Sequence, residues 1–201
     1  FITHDARIAL ENVGVVLFKD SSANKGGVTC SSLEVLSGLL LTDSEHSNIM
    51  CVQEGKAVPE FYSNVVQEII ERIGANARKE FEAIWRENRA GAHGSINTLI
   101  SDALSRKIVS IREFIYASDL FENEQKLVRY VVSKYTPTTM LDRVNLDTIM
   151  ERVPRNYLRA IFSIWIASDF VYTHGLNAND FTFFKYMHNL MGMANGSTSK
   201  L

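Results

Sequence analysis

The chain of 201 residues contains only two cysteines, Cys30 and Cys51. They form no CxxC pair and have no histidine at ligand spacing, so the sequence predicts neither a disulfide framework nor a zinc site. The histidines are scattered, without an HExxH motif or an i, i+4 pair, and we expect no metal site. So few cysteines favour a reducing, intracellular location, with no preference between the mitochondrial matrix and the cytoplasm.

Neither sign of charge predominates in the sequence. Lys and Arg number 21 against 23 Asp and Glu, which gives a formal net charge of -2 at pH 7. Without a basic excess, we expect no binding to nucleic acid. No apolar run approaches the roughly 18 residues that a membrane span requires, and we expect no membrane partner. Because the chain begins with Phe1 and its periodic pattern starts at once, we expect it to be a piece of a longer protein.

Apolar residues recur at intervals of three and four over most of the chain, which predicts amphipathic helices. The exception is "VVLF" (15–18), a β-branched and aromatic run typical of a strand buried on both faces of a parallel sheet. The predicted helices lie at about 3–13, 28–40, 59–89, 96–117, 123–134, 138–150, 154–173 and 180–191.

The predicted fold is mainly α. A helix, a strand, a glycine loop and a second helix come first, the order found in a Rossmann-like α/β nucleotide-binding domain. Residues 1–57 would be the end of that dinucleotide-binding domain, with its last strand and glycine loop. Residues 58–201 would form a helical carboxyl-terminal region, with a hinge expected at 89–95, "RAGAHGS".

The segment "ANKGGVTCSS" has two interpretations. In the functional one, the backbone at Gly26 and Gly27 takes positive φ and admits a flat polar ligand, on which Asn24 and Ser31 converge. The amides that begin the next helix would then favour a carboxylate or a phosphate. In the structural one, the glycines form a tight turn and the hydroxyl side chains cap the helix, which is the commoner meaning of a short glycine motif.

The longer segment "HDARIALENVGVVLFKDSSANKGGVTCSSLEVLSGLLLTDSE" resembles the glutamate dehydrogenase family of amino-acid dehydrogenases, which usually show Asn-Ala-Gly-Gly-Val-Thr-Val-Ser here. It is more similar still to the large NAD-specific glutamate dehydrogenases of eukaryotic microbes, in which lysine commonly replaces the alanine. The segments "NARKEFEAIWREN" and "VPRNYLRAIFSIWIASDFVYTHGL" resemble the carboxyl terminus of the same branch. The resemblance implies an oxidoreductase that deaminates L-glutamate to 2-oxoglutarate and ammonia with NAD as cofactor.

The resemblance also implies roles for individual residues. Asn24 would face the nicotinamide carboxamide, and cofactor and substrate would lie over Gly26 and Gly27. Val28 would line the pocket for the glutamate side chain, and Ser31 would hydrogen-bond the distal carboxylate of the substrate. From the residues alone, Asn24 can equally be a turn residue, Val28 a core residue and Ser31 a capping hydroxyl.

Two residues of this chain depart from the family pattern, and the catalytic residues of the family cannot be assigned in this chain. Lys25 replaces a small residue and is expected to face solvent, and Ser32 replaces an aromatic residue, so the packing beneath this helix must differ. The lysine and the carboxylate that catalyse the reaction belong to an upstream domain in the family, and we assign no catalytic residue here. The acidic residues of the long helix are expected to form a solvated face: Glu68, Glu71, Glu80, Glu82 and Glu87.

Two functions of different classes stay open. The first is a segment of a glutamate dehydrogenase, inactive by itself, that supplies a cofactor-facing loop and a helical region. The second is a helical interaction or regulatory module without a cofactor, in which the glycine loop is only a turn. The pairing of the "VVLF" strand discriminates between them. A lone strand also has an unpaired edge, which favours association, and we expect a homo-oligomer.

Overall fold

The computed structural model describes residues 2–197. Within this range the chain is almost entirely helical, which confirms the prediction of a mainly α fold. A π-helix lies at His46–Met50, and a 3₁₀ turn lies at Ala92–Ser95. The α-helices are α1 (His4–Asn12), α2 (Asp20–Ala23), α3 (Gly26–Leu40), α4 (Asp43–Glu45), α5 (Glu60–Arg89), α6 (Asn97–Ala117), α7 (Leu120–Asn123), α8 (Gln125–Tyr135), α9 (Thr138–Arg152), α10 (Arg155–His174) and α11 (Asp180–Ser197).

The predicted strand at 15–18 is not formed in this structure. Residues 15–19 have no regular secondary structure, and the amide of Val15 donates to the carbonyl of Leu10 at 3.1 Å. A β-ladder needs a second extended segment alongside, and the described part of the chain provides none. The Rossmann-like piece of the predicted fold is therefore not seen. The strand edge behind the expected self-association is not formed either, and homo-oligomerisation stays a prediction.

The long helices lie where the periodicity predicts them, because their ends carry local signals. Thr3 accepts the amide of Ala6 at 3.3 Å to start α1, and Gly14 follows its end with φ +92°. Helix α9 differs from the prediction, because it is interrupted at Asn145, where φ is +52°. The side chain of Asn145 accepts the amide of Thr148 at 3.0 Å, so it caps the second half of the helix.

One cluster of buried apolar side chains connects α3 through to α11. Helix α10 packs against α5, α6 and α8 and lies at the centre of this core. Helix α3, from the predicted nucleotide-domain part, contributes Leu33, Leu36 and Leu40 to the same cluster. The domain boundary at 57 and 58 stays a prediction. The face that α10 turns to the core is formed by Leu158, Phe162, Ile166 and Phe170, each no more than 2% exposed.

Helix α6 begins without a cap of its own, because Ile96 precedes it. The carboxylate of Glu11 in α1 takes that role and accepts the amides of Asn97 at 2.7 Å and Thr98 at 3.2 Å. The first amides of a helix have no partner inside the helix and carry partial positive charge, so a carboxylate stabilises them. Asn97 also donates to the carbonyl of Leu17 at 3.0 Å. These contacts attach the amino-terminal segment to α6.

The predicted hinge at 89–95 is a tight turn in this structure. Gly91 lies in the left-handed region with φ +75°. Across the turn, Asn88 Nδ2 donates to the carbonyl of Ser95 at 2.6 Å, and Ser95 Oγ donates to the carbonyl of Asn88 at 2.9 Å. A hinge movement at this turn stays a prediction. None of the helices in the described range is long and apolar enough to cross a membrane.

Candidate functional site

The glycine loop is shorter than the sequence suggests, since only Asn24 and Lys25 separate α2 from α3. Gly26 and Gly27 are the first two residues of α3, and neither has positive φ, so that expectation is wrong. Asn24 (φ −100°, ψ 93°) and Lys25 (φ −91°, ψ −8°) make the turn in conformations open to any residue. What the glycines provide here is therefore space.

The space at the two glycines is unequal. A Cβ atom placed on Gly27 would meet nothing within 4 Å. A Cβ atom on Gly26 would lie 3.4 Å from Asn24 Oδ1 and 3.9 Å from Cδ1 of Ile73 in α5. Gly26 therefore faces the packed side of α3, and the surface at Gly27 is open to another molecule.

The predicted ligand-binding side chains lie on the surface. Asn24 Oδ1 accepts the amide of Gly26 at 3.1 Å. Ser31 Oγ donates to the carbonyls of Gly27 at 2.9 Å and Val28 at 3.2 Å. Asn24 is thus a turn residue, as in the structural interpretation. Ser31 is not a capping hydroxyl, because it lies within α3 and donates to carbonyls of that helix. Val28 is 80% exposed, so its interpretation as a core residue is wrong.

Gly27, Val28 and Ser31 lie together on the first turns of α3, because residues three and four apart share a helix face. The amides of Gly27 and Val28 have no hydrogen-bond partner among residues 2–197. Such amides, at the start of a 15-residue helix, favour a carboxylate or a phosphate. The exposed surface around Gly27 therefore combines room, two free donors and a hydroxyl group.

Lys25 does not face solvent as expected. Its Nζ forms an ion pair with Oε2 of Glu80 in α5, and the two side chains are 23% and 7% exposed. The hydroxyl of Tyr172 in α10 donates to the same carboxylate oxygen at 2.6 Å. Burial, together with the charge and the hydrogen bond of Glu80, raises the pKa of Tyr172 well above its usual value. Lys25 and Glu80 are thus the contact that joins the loop to the helical region.

The expected solvated face of α5 is only partly solvated. Glu71 and Glu82 are exposed as predicted, whereas Glu80 is 5% and Glu87 6% exposed. Glu87 accepts the amide of Leu176 at 3.2 Å. Buried carboxylates require hydrogen bonds or a cation, and these partners come from elements far along the chain. The burial of Glu80 and Glu87 was not predicted, because their residue type indicates solvent.

Helix α3 is held from its far side by the carboxyl-terminal helices. The hydroxyl of Tyr157 in α10 donates to the carbonyl of Ser32 at 3.0 Å, and Arg152 in α9 donates to the carbonyl of Leu40 at 2.6 Å. Ser32 Oγ bonds to the carbonyl of Thr29 at 3.1 Å. The hydroxyl of Tyr157 thus occupies the side of α3 at Ser32. The orientation of α3, and of the exposed surface around Gly27, therefore depends on α9 and α10.

An open apolar groove of about 550 Å³ lies beside the loop, between α2 and α5. The ring of Phe18 stacks on Phe81 with 4.9 Å between centroids, and Ala23 and Ala77 contribute to the lining. The groove gives the loop an apolar flank.

The described residues include no cluster of His, Cys, Asp or Glu that could hold a metal ion. Burial lowers the pKa of Lys107, but its Nζ donates to the carbonyls of Gly175, Leu176 and Ala178 at 3.0, 2.6 and 2.7 Å. That ammonium is therefore engaged in holding the segment after α10. We assign no catalytic acid or base in this chain.

The glycine pair and the start of α3 lie in the segment that resembles the glutamate dehydrogenase family, and comparison with known proteins confirms this resemblance. Residues 1–91 match the family described as Glutamate/Leucine/Phenylalanine/Valine dehydrogenase. The chain is a relative of these dehydrogenases, and the match includes the whole candidate site.

Individual relatives narrow the similarity to glutamate dehydrogenases. The chain is 46% identical over 190 residues to Glutamate dehydrogenase 2 of Dictyostelium discoideum, which is 94% of this chain and 18% of that protein. It is 45% identical over 195 residues to the NAD-specific glutamate dehydrogenase of Neurospora crassa, and 36% identical over 201 residues to that of Saccharomyces cerevisiae. These alignments cover 97% and 98% of this chain and 18% of each relative. The chain therefore spans about a fifth of the length of these relatives. No solved structure matches it.

Proposed function

We propose that this chain is part of an NAD-dependent glutamate dehydrogenase, in which it supplies a surface for cofactor and substrate. The observation that carries the proposal is the segment Asn24–Ser31, which lies within the family match and begins α3 with an open glycine and two free amides. The complete enzyme would oxidise L-glutamate to 2-oxoglutarate and ammonia. We expect this chain alone to be inactive, since the catalytic lysine and acid of the family belong to an upstream domain and neither is assigned in residues 2–197.

Each side chain of the site has an atom that suits its proposed role. Asn24 uses Oδ1 to accept the amide of Gly26, which leaves its Nδ2 without a partner in the described range and able to donate to the nicotinamide carboxamide. The exposed side chain of Val28 can contact the substrate methylenes. Bound NAD would accept the hydride from the substrate α-carbon.

Ser31 would recognise the distal carboxylate of glutamate. Its Oγ now donates to carbonyls of its own helix, and rotation about χ1 moves that donor to another staggered position. A hydroxyl needs only this rotation to exchange a backbone carbonyl for a carboxylate oxygen. A carboxylate is the stronger acceptor because it is charged.

The experiment is to replace Ser31 by Ala in a complete enzyme carrying this chain and to compare kcat/KM for L-glutamate with that for L-alanine. Losing a hydrogen bond to a charged group should reduce discrimination by about 1.5–3 kcal/mol, or about 10- to 150-fold. Ser32→Ala is the matched control, because its hydroxyl makes the same kind of helix contact, to the carbonyl of Thr29. Equal discrimination in Ser31→Ala and wild type would refute the role of Ser31.

We further infer that residues 1–57 complete a nucleotide-binding domain and that the segment 15–18 pairs as a strand in the complete enzyme. The amides of Val16, Leu17 and Phe18 have no partner among residues 2–197, so they can join a sheet edge. Slow hydrogen exchange at alternate amides of this segment, either Leu17 or the pair Val16 and Phe18, in the complete enzyme would support the pairing. Fast exchange would favour the other candidate, a helical interaction or regulatory module, for which the helical character of the described residues speaks.

A homo-oligomeric, intracellular enzyme belongs to the same proposal. Light scattering of the complete enzyme measures the first property, and a monomer at high concentration would contradict it.

A further inference from the structure

We propose that Lys25, Glu80 and Tyr172 position the cofactor-facing loop, so that the helical carboxyl-terminal region controls how well that loop is ordered for NAD. The inference rests on the proposed function above. The three residues come from three separate elements, the loop between α2 and α3, helix α5 and helix α10. Lys25 stands in the loop directly between Asn24 and Gly26, two residues assigned to the cofactor.

One carboxylate oxygen holds this cluster together. Oε2 of Glu80 pairs with Nζ of Lys25 and accepts the hydroxyl of Tyr172 at 2.6 Å. Glu80 is 5% exposed, so little water replaces either partner if one is lost. A buried carboxylate without its cation is strongly destabilised. The folded chain therefore favours loop conformations that keep Nζ of Lys25 at Glu80.

Helix α5 also packs against α3, the helix that follows the loop. Cδ1 of Ile73 lies 3.9 Å from where a Cβ atom on Gly26 would stand. Ile73 and Glu80 are separated by two helical turns and share one face of α5. The packing of α5 against α3 and the ion pair at Lys25 therefore both hold this part of the chain against α5.

The supports of the cluster are rigid. Ala83 and Ile84 follow Glu80 in α5 and are fully buried. Phe170 and Val171 precede Tyr172 in α10 and are equally buried. Close-packed helices of this kind offer few alternative arrangements. The carboxylate and the hydroxyl therefore present Lys25 with a preformed site.

The ion pair also assigns a role to the lysine that replaces a small residue of the family pattern. Its charge is matched by Glu80, so it is not a ligand for substrate carboxylate or cofactor phosphate. When the pair is removed, the loop samples other conformations and only a fraction of the molecules is ready to bind NAD. The apparent dissociation constant rises by the inverse of that fraction. Once NAD is bound the loop is ordered again, and the chemical step is unchanged.

The experiment uses Lys25→Ala and Glu80→Gln in a complete enzyme carrying this chain, with two readouts. The KM for NAD should rise about tenfold while kcat stays within about twofold of wild type. Hydrogen exchange of the amides of Gly26 and Thr29, which donate to Asn24 Oδ1 and to the carbonyl of Lys25, should accelerate about tenfold. Lys25→Arg keeps the cation, so its KM for NAD and its loop exchange should stay at the wild-type values. Tyr172→Phe should raise both, but by less than Lys25→Ala does.

The matched control is Lys79→Ala, next to Glu80 in the same helix. Lys79 pairs with Asp169 at 2.9 Å and makes no contact with the loop. We expect neither readout to change in this variant. In the double variant of Lys25 and Glu80, the KM for NAD should be no higher than in the more impaired single variant, because both changes break the same contact.

The outcomes separate this inference from the proposed function. If wild type oxidises glutamate and both the KM for NAD and the loop exchange of Glu80→Gln equal the wild-type values, the positioning role is wrong. A parallel fall of kcat that Lys25→Arg does not restore would also overturn it. If exchange accelerates as expected but the wild-type enzyme does not use glutamate, the link is supported and the proposed function fails.

Discussion

Replacing Glu68 by Ala should lower the free energy of unfolding by about 2–3 kcal/mol, because this carboxylate caps the amino-terminal end of α9. Helix α9 is preceded by Pro137, which provides no capping side chain. Glu68 in α5 accepts the amides of Thr138 at 2.6 Å and Thr139 at 2.8 Å, and the hydroxyl of Thr139 as well. The amino-terminal end of α9 therefore depends on a residue far away in the sequence.

The magnitude follows from two contributions. Loss of a helix cap costs about 0.5–2 kcal/mol. Loss of a hydrogen bond to a charged acceptor costs about 1.5–3 kcal/mol. The two ranges describe overlapping contacts, and the half-buried site of Glu68 lets water reach the freed amides. The expected loss therefore lies at the lower end of the sum of the two ranges.

The effect of Glu68 should depend on pH with a definite sign. Burial raises the pKa of Glu68, but hydrogen bonds from Thr139 and Thr138 and the charge of Arg72 outweigh it, and the pKa is lowered overall. The folded state then binds fewer protons than the unfolded state as the carboxylates titrate. The stabilisation is complete above the ordinary value of 4.5 and is lost as the pH falls through the lowered pKa.

Urea unfolding of wild type and Glu68→Ala at pH 7 and at several values below 4.5 measures both effects. Glu71→Ala is the control, since Glu71 is exposed on the same helix and accepts only the side chain of Gln67, at 3.0 Å. It should change stability by less than about 0.5 kcal/mol. Equal losses in the two variants at pH 7, or a Glu68→Ala deficit that does not shrink in acid, would refute the capping role.

Three further predictions concern the carboxyl-terminal helices. Gly175→Ala should cost more than Gly14→Ala in urea unfolding, because both have positive φ but only the Cβ at 175 would stand 2.0 Å from Oε1 of buried Glu87. Lys107→Met should lower the free energy of unfolding by about 2 kcal/mol, measured in urea, because it frees three carbonyls after α10. Tyr172→Phe should leave the phenolate absorbance change near pH 10 unaltered, because the raised pKa keeps this phenol protonated there. That phenol contributes stability below its ordinary pKa of 10.0, and the contribution is lost as the pH rises through the raised value.

The helices could be predicted because their information is local. Apolar spacing and end signals such as Thr3 before α1 and Gly175 after α10 lie within each element. The strand at 15–18 depends instead on a neighbouring strand, and the described residues contain none. The interruption of α9 at Asn145 was equally hidden, because asparagine tolerates positive φ without requiring it.

A glycine in the sequence predicts conformational freedom of the backbone, but it does not predict whether the fold uses that freedom for a positive φ or for space. Gly26 and Gly27 look like a left-handed turn in the sequence, yet they are helical, and Gly14, Gly91 and Gly175 take positive φ instead. The adjacent Asn24 and Lys25 make the turn without needing glycine. A pair of glycines at a helix start thus indicates close approach of another group as readily as it indicates a turn.

The buried acids of α5 left a signal in the sequence that residue type concealed. Ile73, Ala77, Glu80, Ile84 and Glu87 are spaced alternately by four and three, so one face of the helix carries all five. Position therefore places both glutamates in the apolar stripe, although their charge indicates solvent. A carboxylate in such a stripe must find a donor or a cation from another element, because burial without one is too costly. Periodicity can thus predict that a tertiary partner exists, while its identity depends on how distant helices pack. The partner of Glu80 is Lys25, a loop residue that was predicted to face solvent, and the sequence alone could not identify this pair.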